Sequence, residues 1–159
     1  MDTDRPPIFG VKGRSSGEVR YFVRHHADGA TCREVIESTT PAGATLYTDG
    51  LSGYVAVGQS HCHQHGRVFH RKGEWARDDD GDGVREVHCN GCEGMGAGLR
   101  PFLRGFRGVS KRYLDEYVAV YEATFNSKRI TPSLVQSRIT PSLVQSLCFG
   151  FRGTQLNYT

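Results

Sequence analysis

An α/β domain, with short strands and helices interleaved, follows from three features of the sequence. Two apolar segments that suit strands open the chain, a helix start signal and a third β-rich segment follow, and helical periodicity takes over after residue 99. At 159 residues the chain is long enough for one domain with a core and too short for two comfortable ones. Its 37% apolar and 23% charged residues exclude a chain disordered by composition. No apolar run approaches the ~20 residues of a membrane span, so no membrane partner is expected. Five cysteines, an odd count with no secretory signal ahead of them, fit a reducing compartment, which makes the expected location cytoplasmic. Twenty glycines are nearly double the average share of ~7%.

Residues 8–11 form a short apolar run, and residues 18–24 alternate, with Val19, Tyr21 and Val23 on one face. Gly13-Arg14-Ser15-Ser16-Gly17 between them is turn chemistry, so the pair reads as a hairpin. Thr31-Cys32-Arg33-Glu34 has the form of a capping box, which predicts a short helix from Thr31 to about Ser38. Pro41-Ala42-Gly43 breaks the chain, and residues 44–48 form a third strand that delivers Asp49 at its C-terminal end. Weaker signals suggest a helix over 51–57 and a strand over 67–70. Leu99, Phe102, Leu103 and Phe106 have helical spacing, with Pro101 in a first turn or at a kink. Ser110 can cap a further helix whose stripe is Tyr113, Leu114, Tyr117, Val118, Tyr121 and Phe125, which suits core packing. Residues 129–137 and 138–146 both read RITPSLVQS, a period far below that of solenoid units. The expected division is therefore a domain over 1–128 and an irregular tail over 129–159.

Charge is uneven along the chain: seven basic and seven acidic residues in 1–70, four against seven in 71–93, nine against three in 94–159. A basic C-terminal third beside an acidic middle suits a polyanion-facing surface next to a cation-binding cluster, and equally suits solvated faces. Asp78-Asp79-Asp80-Gly81-Asp82-Gly83 supplies the front half of a calcium loop, but Cys89 stands where the bidentate glutamate is required. A solvated acidic turn or a weak cation site remains. Cys89-Asn90-Gly91-Cys92 is a C-x-x-C, and with His61 and Cys62 upstream it could complete a tetrahedral zinc site, although no second C-x-x-C is present. Asp49 at a strand end, facing Asn90 and Glu93 at i and i+3 of one helix, is a third constellation. Such oxygen ligands can hold Mg²⁺ for in-line phosphoryl transfer.

Four blocks carry a resemblance: DRPPIFGVKGRSSGEVR, ATLYTDGLSGY, GEWARDDDGDGVREVHCNGCEG, and LRPFLRGFRGVSKRYLDEYVAVYEATFNSKRITP. In that order they resemble the catalytic domain of ISXO-like insertion-sequence transposases, of the DDE superfamily, over roughly residues 4–132. The resemblance implies an RNase H-like mixed sheet with flanking helices and a Mg²⁺- or Mn²⁺-dependent cleavage and strand transfer on DNA. By that likeness Asp49 matches the second metal-binding aspartate, Asn90 the asparagine that replaces the third carboxylate, and Glu93 the acidic residue after it. The acidic turn then becomes a family loop.

The first catalytic aspartate of the family lies on a central strand upstream of the segment matching Arg5-Pro6-Pro7. The expectation is thus a truncated, inactive remnant lacking that strand, with Gly91, Gly94, Gly96 and Gly98 making the helix after Asn90 fragile at ~1 kcal/mol each. DNA, as transposon ends and target, is the implied partner, with homo-oligomers and a nucleoid location in the intact family. Arg100, Arg104, Arg107, Lys111 and Arg112 could hold phosphates, or simply form a solvated helix surface. Two other classes stay open: a small zinc-stabilised binding module on His61, Cys62, Cys89 and Cys92, and a DNA-binding fragment without catalysis.

Overall fold

The computed structural model describes residues 6–61 and 64–127. The duplicated tail and Cys62 lie outside the described residues, as does the side chain of His61. Strand β1 (Ile8–Lys12) and β2 (Val19–Val23) form the expected antiparallel hairpin, with Ile8 opposite Val23 and Lys12 opposite Val19. Helix α1 (Gly29–Thr39) follows, then β3 (Thr45–Thr48), α2 (Tyr54–His61) and β4 (Gln64–Arg67). After a 3₁₀ turn at His70–Lys72 come the short strands β5 (Ala76–Arg77) and β6 (Val87–His88). Helix α3 (Asn90–Arg104), a 3₁₀ turn at Lys111–Tyr113 and α4 (Leu114–Ser127) complete the order. No helix among the described residues is long and apolar enough to cross a membrane.

The architecture is mixed α/β, but the expected single mixed sheet is replaced by three two-stranded ladders: antiparallel β1–β2, parallel β3–β4 and antiparallel β5–β6. The physical reason is simple. One continuous sheet needs a strand hydrogen-bonded to both β1 and β3, and among the described residues none stands there. The two strands nevertheless share a core, because Phe9 and Val11 pack with Leu46 of β3, with Cys32, Val35 and Ile36 of α1, and with Tyr54 and Val57 of α2. On the opposite face Ile8 joins Val19 and Tyr21 of β2, Met95, Leu99 and Leu103 of α3, and Leu114 and Val118 of α4. Strand periodicity thus sends alternate residues of β1 into two different cores, and each buried aliphatic side chain is worth ~1.5–3 kcal/mol.

Several boundaries differ from the sequence reading. Helix α1 begins before the expected capping box because Asp28 is the cap: its Oδ1 accepts the Thr31 amide at 2.8 Å. That backbone hydrogen bond, with the Thr31 side chain, draws the Asp28 carboxyl below its usual range. The helix expected over 51–57 starts at Tyr54, since Asp49 Oδ1 accepts the Leu51 amide at 3.0 Å and holds the preceding residues in a turn. The strand expected over 67–70 lies at Gln64–Arg67, in register with β3, and His70 instead opens a 3₁₀ turn. Helix α3 starts at Asn90 as expected, with the Cys89 carbonyl accepting the amides of Cys92 and Glu93, and runs on through the Leu99 segment, so Pro101 falls inside it rather than in a first turn. Phe106, expected on the core stripe, is exposed beyond the helix end, and so is Tyr113.

Helix α4 closes the outer edge of β2 with two side chains one turn apart. Asn126 accepts the Val19 amide through Oδ1 at 3.0 Å and donates Nδ2 to the Val19 carbonyl at 2.9 Å. Glu122 Oε2 accepts the Tyr21 amide at 2.8 Å. A helix therefore supplies what a neighbouring strand would. Replacing Asn126 with Ala leaves both Val19 groups without this partner, and is expected to cost about 1–3 kcal/mol in urea unfolding.

Helix α3 runs unbroken through its four glycines. A Cβ on Gly98 would stand 2.1 Å from the Tyr121 hydroxyl, whose ring packs edge-on against Tyr21 at 5.8 Å, so this glycine is what lets α4 approach. Around Gly94 there is nothing within 4 Å. Gly94→Ala is accordingly expected to raise stability by about 0.5–1 kcal/mol, whereas Gly98→Ala lowers it, both read as shifts of the thermal midpoint.

Candidate functional site

Asp49 follows the last residue of β3, and Asn90 and Glu93 occupy the first turn of α3, both exposed. Together they offer only oxygen donors, the hard ligand set that suits Mg²⁺ or Mn²⁺. Tyr54 feels residues of both segments through its phenol. Burial first, then the nearby Cys32, Asp49 and Cys92, push its phenol above the ordinary range. Burial, followed by Asp28 and Asp49, likewise raises the Cys32 thiol to about 11. The carboxylate of Asp49 thus faces buried neutral groups from α1 and α2, with Cys92 of α3 close to the same phenol.

The connection from Asp49 to Glu93 runs through the loop after β4. Arg67 Nη2 donates to the Gly50 carbonyl at 3.1 Å, and a Cβ on Gly50 would stand 2.8 Å from the Phe69 ring. The next residue, His70, brings Nε2 to 3.3 Å from Glu93 Oε1, and its ring lies 4.9 Å from that of Trp75. A second tie comes from the β1–β2 turn. The Arg14 guanidinium lies 3.8 Å over the Tyr47 ring and donates Nη2 to the His88 carbonyl at 2.9 Å, so it spans β3 and β6 just ahead of Asp49 and Asn90. Lys12 at the end of β1 borders the same helix start, since a Cβ on Gly91 would meet its Cδ at 3.1 Å.

Arg14, Arg67 and Trp75 escaped the sequence reading, as did the pairing of His70 with Glu93. The partners of Arg14, Arg67 and His70 are distant in sequence and no periodicity links them. The one available signal was compositional: basic and aromatic residues alternate through Arg67, Phe69, Arg71 and Trp75.

Among the described residues, one group of three metal-capable side chains brings its ligand atoms within 4.8 Å of one another: Asp78, Asp80 and Glu86. Asp49, Glu93 and His70 do not form such a group. The acidic turn follows strand β5 rather than a helix, which removes the EF-hand geometry. Its carboxylates serve their own backbone. Asp78 accepts the Gly81 amide at 2.6 Å and the Gly83 amide at 2.9 Å, which hold its carboxyl below the usual range. Glu86 Oε1 accepts the Asp79 amide at 3.0 Å.

Cys89 and Cys92 are thiols outside any disulfide, buried in the core beside Met95 and Leu99, and their proposed zinc partners, the His61 side chain and Cys62, lie outside the described residues. Of the five basic residues, Arg100 and Arg104 ride on α3 and Arg107 follows it at φ 56°. Lys111 and Arg112 lie in the 3₁₀ turn before α4, and all but the half-buried Arg100 are exposed.

A family model for an ISXO2-like transposase domain matches residues 2–126. An uncharacterized protein in the transposable element ISH50 of Halobacterium salinarum is 28% identical over 119 residues, which cover 75% of this chain and 38% of that relative. The chain therefore spans well under half the length of the relative it matches. No solved structure matches it.

Beside Asp49, Thr48 is fully buried and its hydroxyl donates to the Asp49 carbonyl at 3.1 Å. With that proton spent, the 2.8 Å contact to His65 Nε2 makes the imidazole the donor. Burial first, and then Arg67, bring the His65 pKa down from 6.5 to about 4. A base depressed in the folded state is protonated first in the unfolded chain, so its folded form is favoured fully above pH 6.5 and loses ground as pH falls toward 4. The urea midpoint is expected to drop between about pH 6.5 and 4.5, above the range where carboxylates titrate, and His65→Gln should flatten that slope.

Proposed function

The chain belongs to the ISXO2-like transposase family, and from that premise we propose that it is catalytic-domain sequence of an insertion-sequence transposase, whose site for DNA phosphodiesters is built on Asp49, Asn90 and Glu93. The reading is supported by a carboxylate that follows a parallel strand, by a helix whose first turn carries an amide and a second carboxylate, and by the Tyr54 phenol, which feels both Asp49 and Cys92. The order hairpin, α1, β3, α2, β4 supports an RNase H-like arrangement of the DDE type. A divalent cation held by these oxygens would neutralise phosphate charge and acidify the attacking hydroxyl.

The chain's own residues do the positioning. His70 steers the Glu93 carboxylate, Arg14 fixes the spacing between the Asp49 strand and the Asn90 helix, and Arg67 anchors the Gly50 carbonyl that follows Asp49. Arg100, Arg104, Arg107, Lys111 and Arg112 bind backbone phosphates, in a sequence-independent manner that orients the duplex. DNA binding without turnover is the state we assign to the 159-residue chain by itself, because among the described residues no third carboxylate, histidine or cysteine gathers with Asp49 and Glu93 within 4.8 Å.

Duplex binding by the purified chain should weaken steeply with salt, and each of Arg104→Ala and Arg107→Ala should lower the log–log salt slope by about 1. Mn²⁺ binding, followed by electron paramagnetic resonance, should weaken in Asp49→Ala while duplex binding persists. Salt-insensitive DNA binding, or Mn²⁺ binding indifferent to Asp49, overturns the reading; Mg²⁺-dependent cleavage of the element's own ends overturns the assignment of binding without turnover.

A further inference from the structure

The loop between β4 and β5 holds the chain's one tryptophan. Trp75 is 58% exposed, although indole is the largest apolar surface a residue can offer. One neighbour supports it: the His70 ring, 4.9 Å away with planes 35° apart. Because His70 Nε2 is 3.3 Å from Glu93 Oε1, the indole stands one side chain away from the helix carboxylate of the candidate site.

Its surroundings are cationic. Residues 67–77 contain four basic side chains, Arg67, Arg71, Lys72 and Arg77, against the single acid Glu74. Glu74 is occupied by the Phe69 amide and by Arg77, whose guanidinium also binds Asp79. Arg71 and Lys72 are exposed, and Lys72 Nζ lies 5.1 Å over the Phe69 ring. A protein-binding patch would surround an exposed indole with further apolar area, yet no other large hydrophobic side chain of residues 67–77 is exposed. An exposed aromatic set among cations is instead the composition that binds single-stranded nucleic acid, since every base has a π face and the cations answer the phosphates.

We propose that Trp75, backed by His70, is a stacking platform for one unpaired nucleobase at a DNA end, beside the phosphodiester held at Asp49, Asn90 and Glu93. The proposal rests on the DNA-acting reading above and adds to it a preference for frayed or overhanging ends.

The single tryptophan makes the test direct. Two end-labelled duplexes of one sequence, one blunt and one with a short single-stranded 3′ overhang, are titrated with the full chain while tryptophan emission and label anisotropy are followed. The overhang should quench the emission and bind more tightly than the blunt end. Trp75→Ala should lose roughly 5- to 150-fold in affinity for the overhang, with blunt-end binding held within about twofold, and Trp75→Phe should retain most of the preference. Equal binding of both duplexes with unchanged emission overturns the proposal alone, as does a preference that survives in Trp75→Ala. Failure of the chain to bind either duplex overturns it together with the reading on which it rests.

Discussion

Burial of β1 on both faces is the constraint to which the other elements answer. Ile8, Phe9, Gly10 and Val11 are all inaccessible, and a strand rises in a plane, so apolar neighbours are needed above and below it. Helices α1 and α2 meet the Phe9 and Val11 side, and α3 and α4 meet the Ile8 side. Because α1 and α2 flank β3 in sequence, covering the first side also fixes where β3 lies. Covering the second side draws in α3, whose Cys92 and Met95 join that core. The candidate residues are thus set out by layering: two segments that share no hydrogen-bonded ladder each pack against one face of the same hairpin.

Polar contacts refine what the layers bring together. Arg14 leaves the turn of that hairpin to touch both Tyr47 and the His88 carbonyl, and Arg77 donates to the Arg67 carbonyl at 3.0 Å while holding Glu74. These guanidiniums use several donors at once, which an ammonium cannot reproduce with the same planar geometry. The loop that carries His70 and Trp75 is consequently tied at both ends, by Arg67 to Gly50 and by Glu74 to the Phe69 amide. Such loops can present functional groups without a sheet or helix beneath them.

The hairpin was legible in the sequence because Val19, Tyr21 and Val23 alternate and the turn between the strands is rich in Gly and Ser. The α4 stripe was legible in Leu114 and Val118 for the analogous helical reason. Strand β4 was misplaced, since Gln64, His65 and Arg67 are polar and its only buried residue is a glycine; it is recruited by pairing with β3 rather than by its own pattern. The start of α1 was read at the Thr31 box, whereas the path of the chain brings the Asp28 carboxylate onto the Thr31 amide and starts the helix earlier. Asp49, Asn90 and Glu93 could be named from spacing and likeness, but the His70 contact to Glu93 joins a 3₁₀ turn to a helix across intervening strands, and local patterns carry no trace of it. The glycines of α3 illustrate the same limit: counted as propensity they all weaken the helix, yet at Gly98 the absent side chain is where the Tyr121 hydroxyl fits.

The two-point grip of Asn126 on Val19 spans 107 positions of sequence. A ribosome adding ~5–20 residues per second makes the hairpin roughly 5–20 s before it makes the side chain that closes its outer edge. During that interval β2 presents unsatisfied backbone groups of the kind that recruit strands from other molecules. Arg20 and Glu18, which project from and beside that strand and pair at 3.1 Å, put charge on it while it waits. Late arrival of α4 therefore makes chain synthesis itself a period of exposure to aggregation, one that ends when α4 docks.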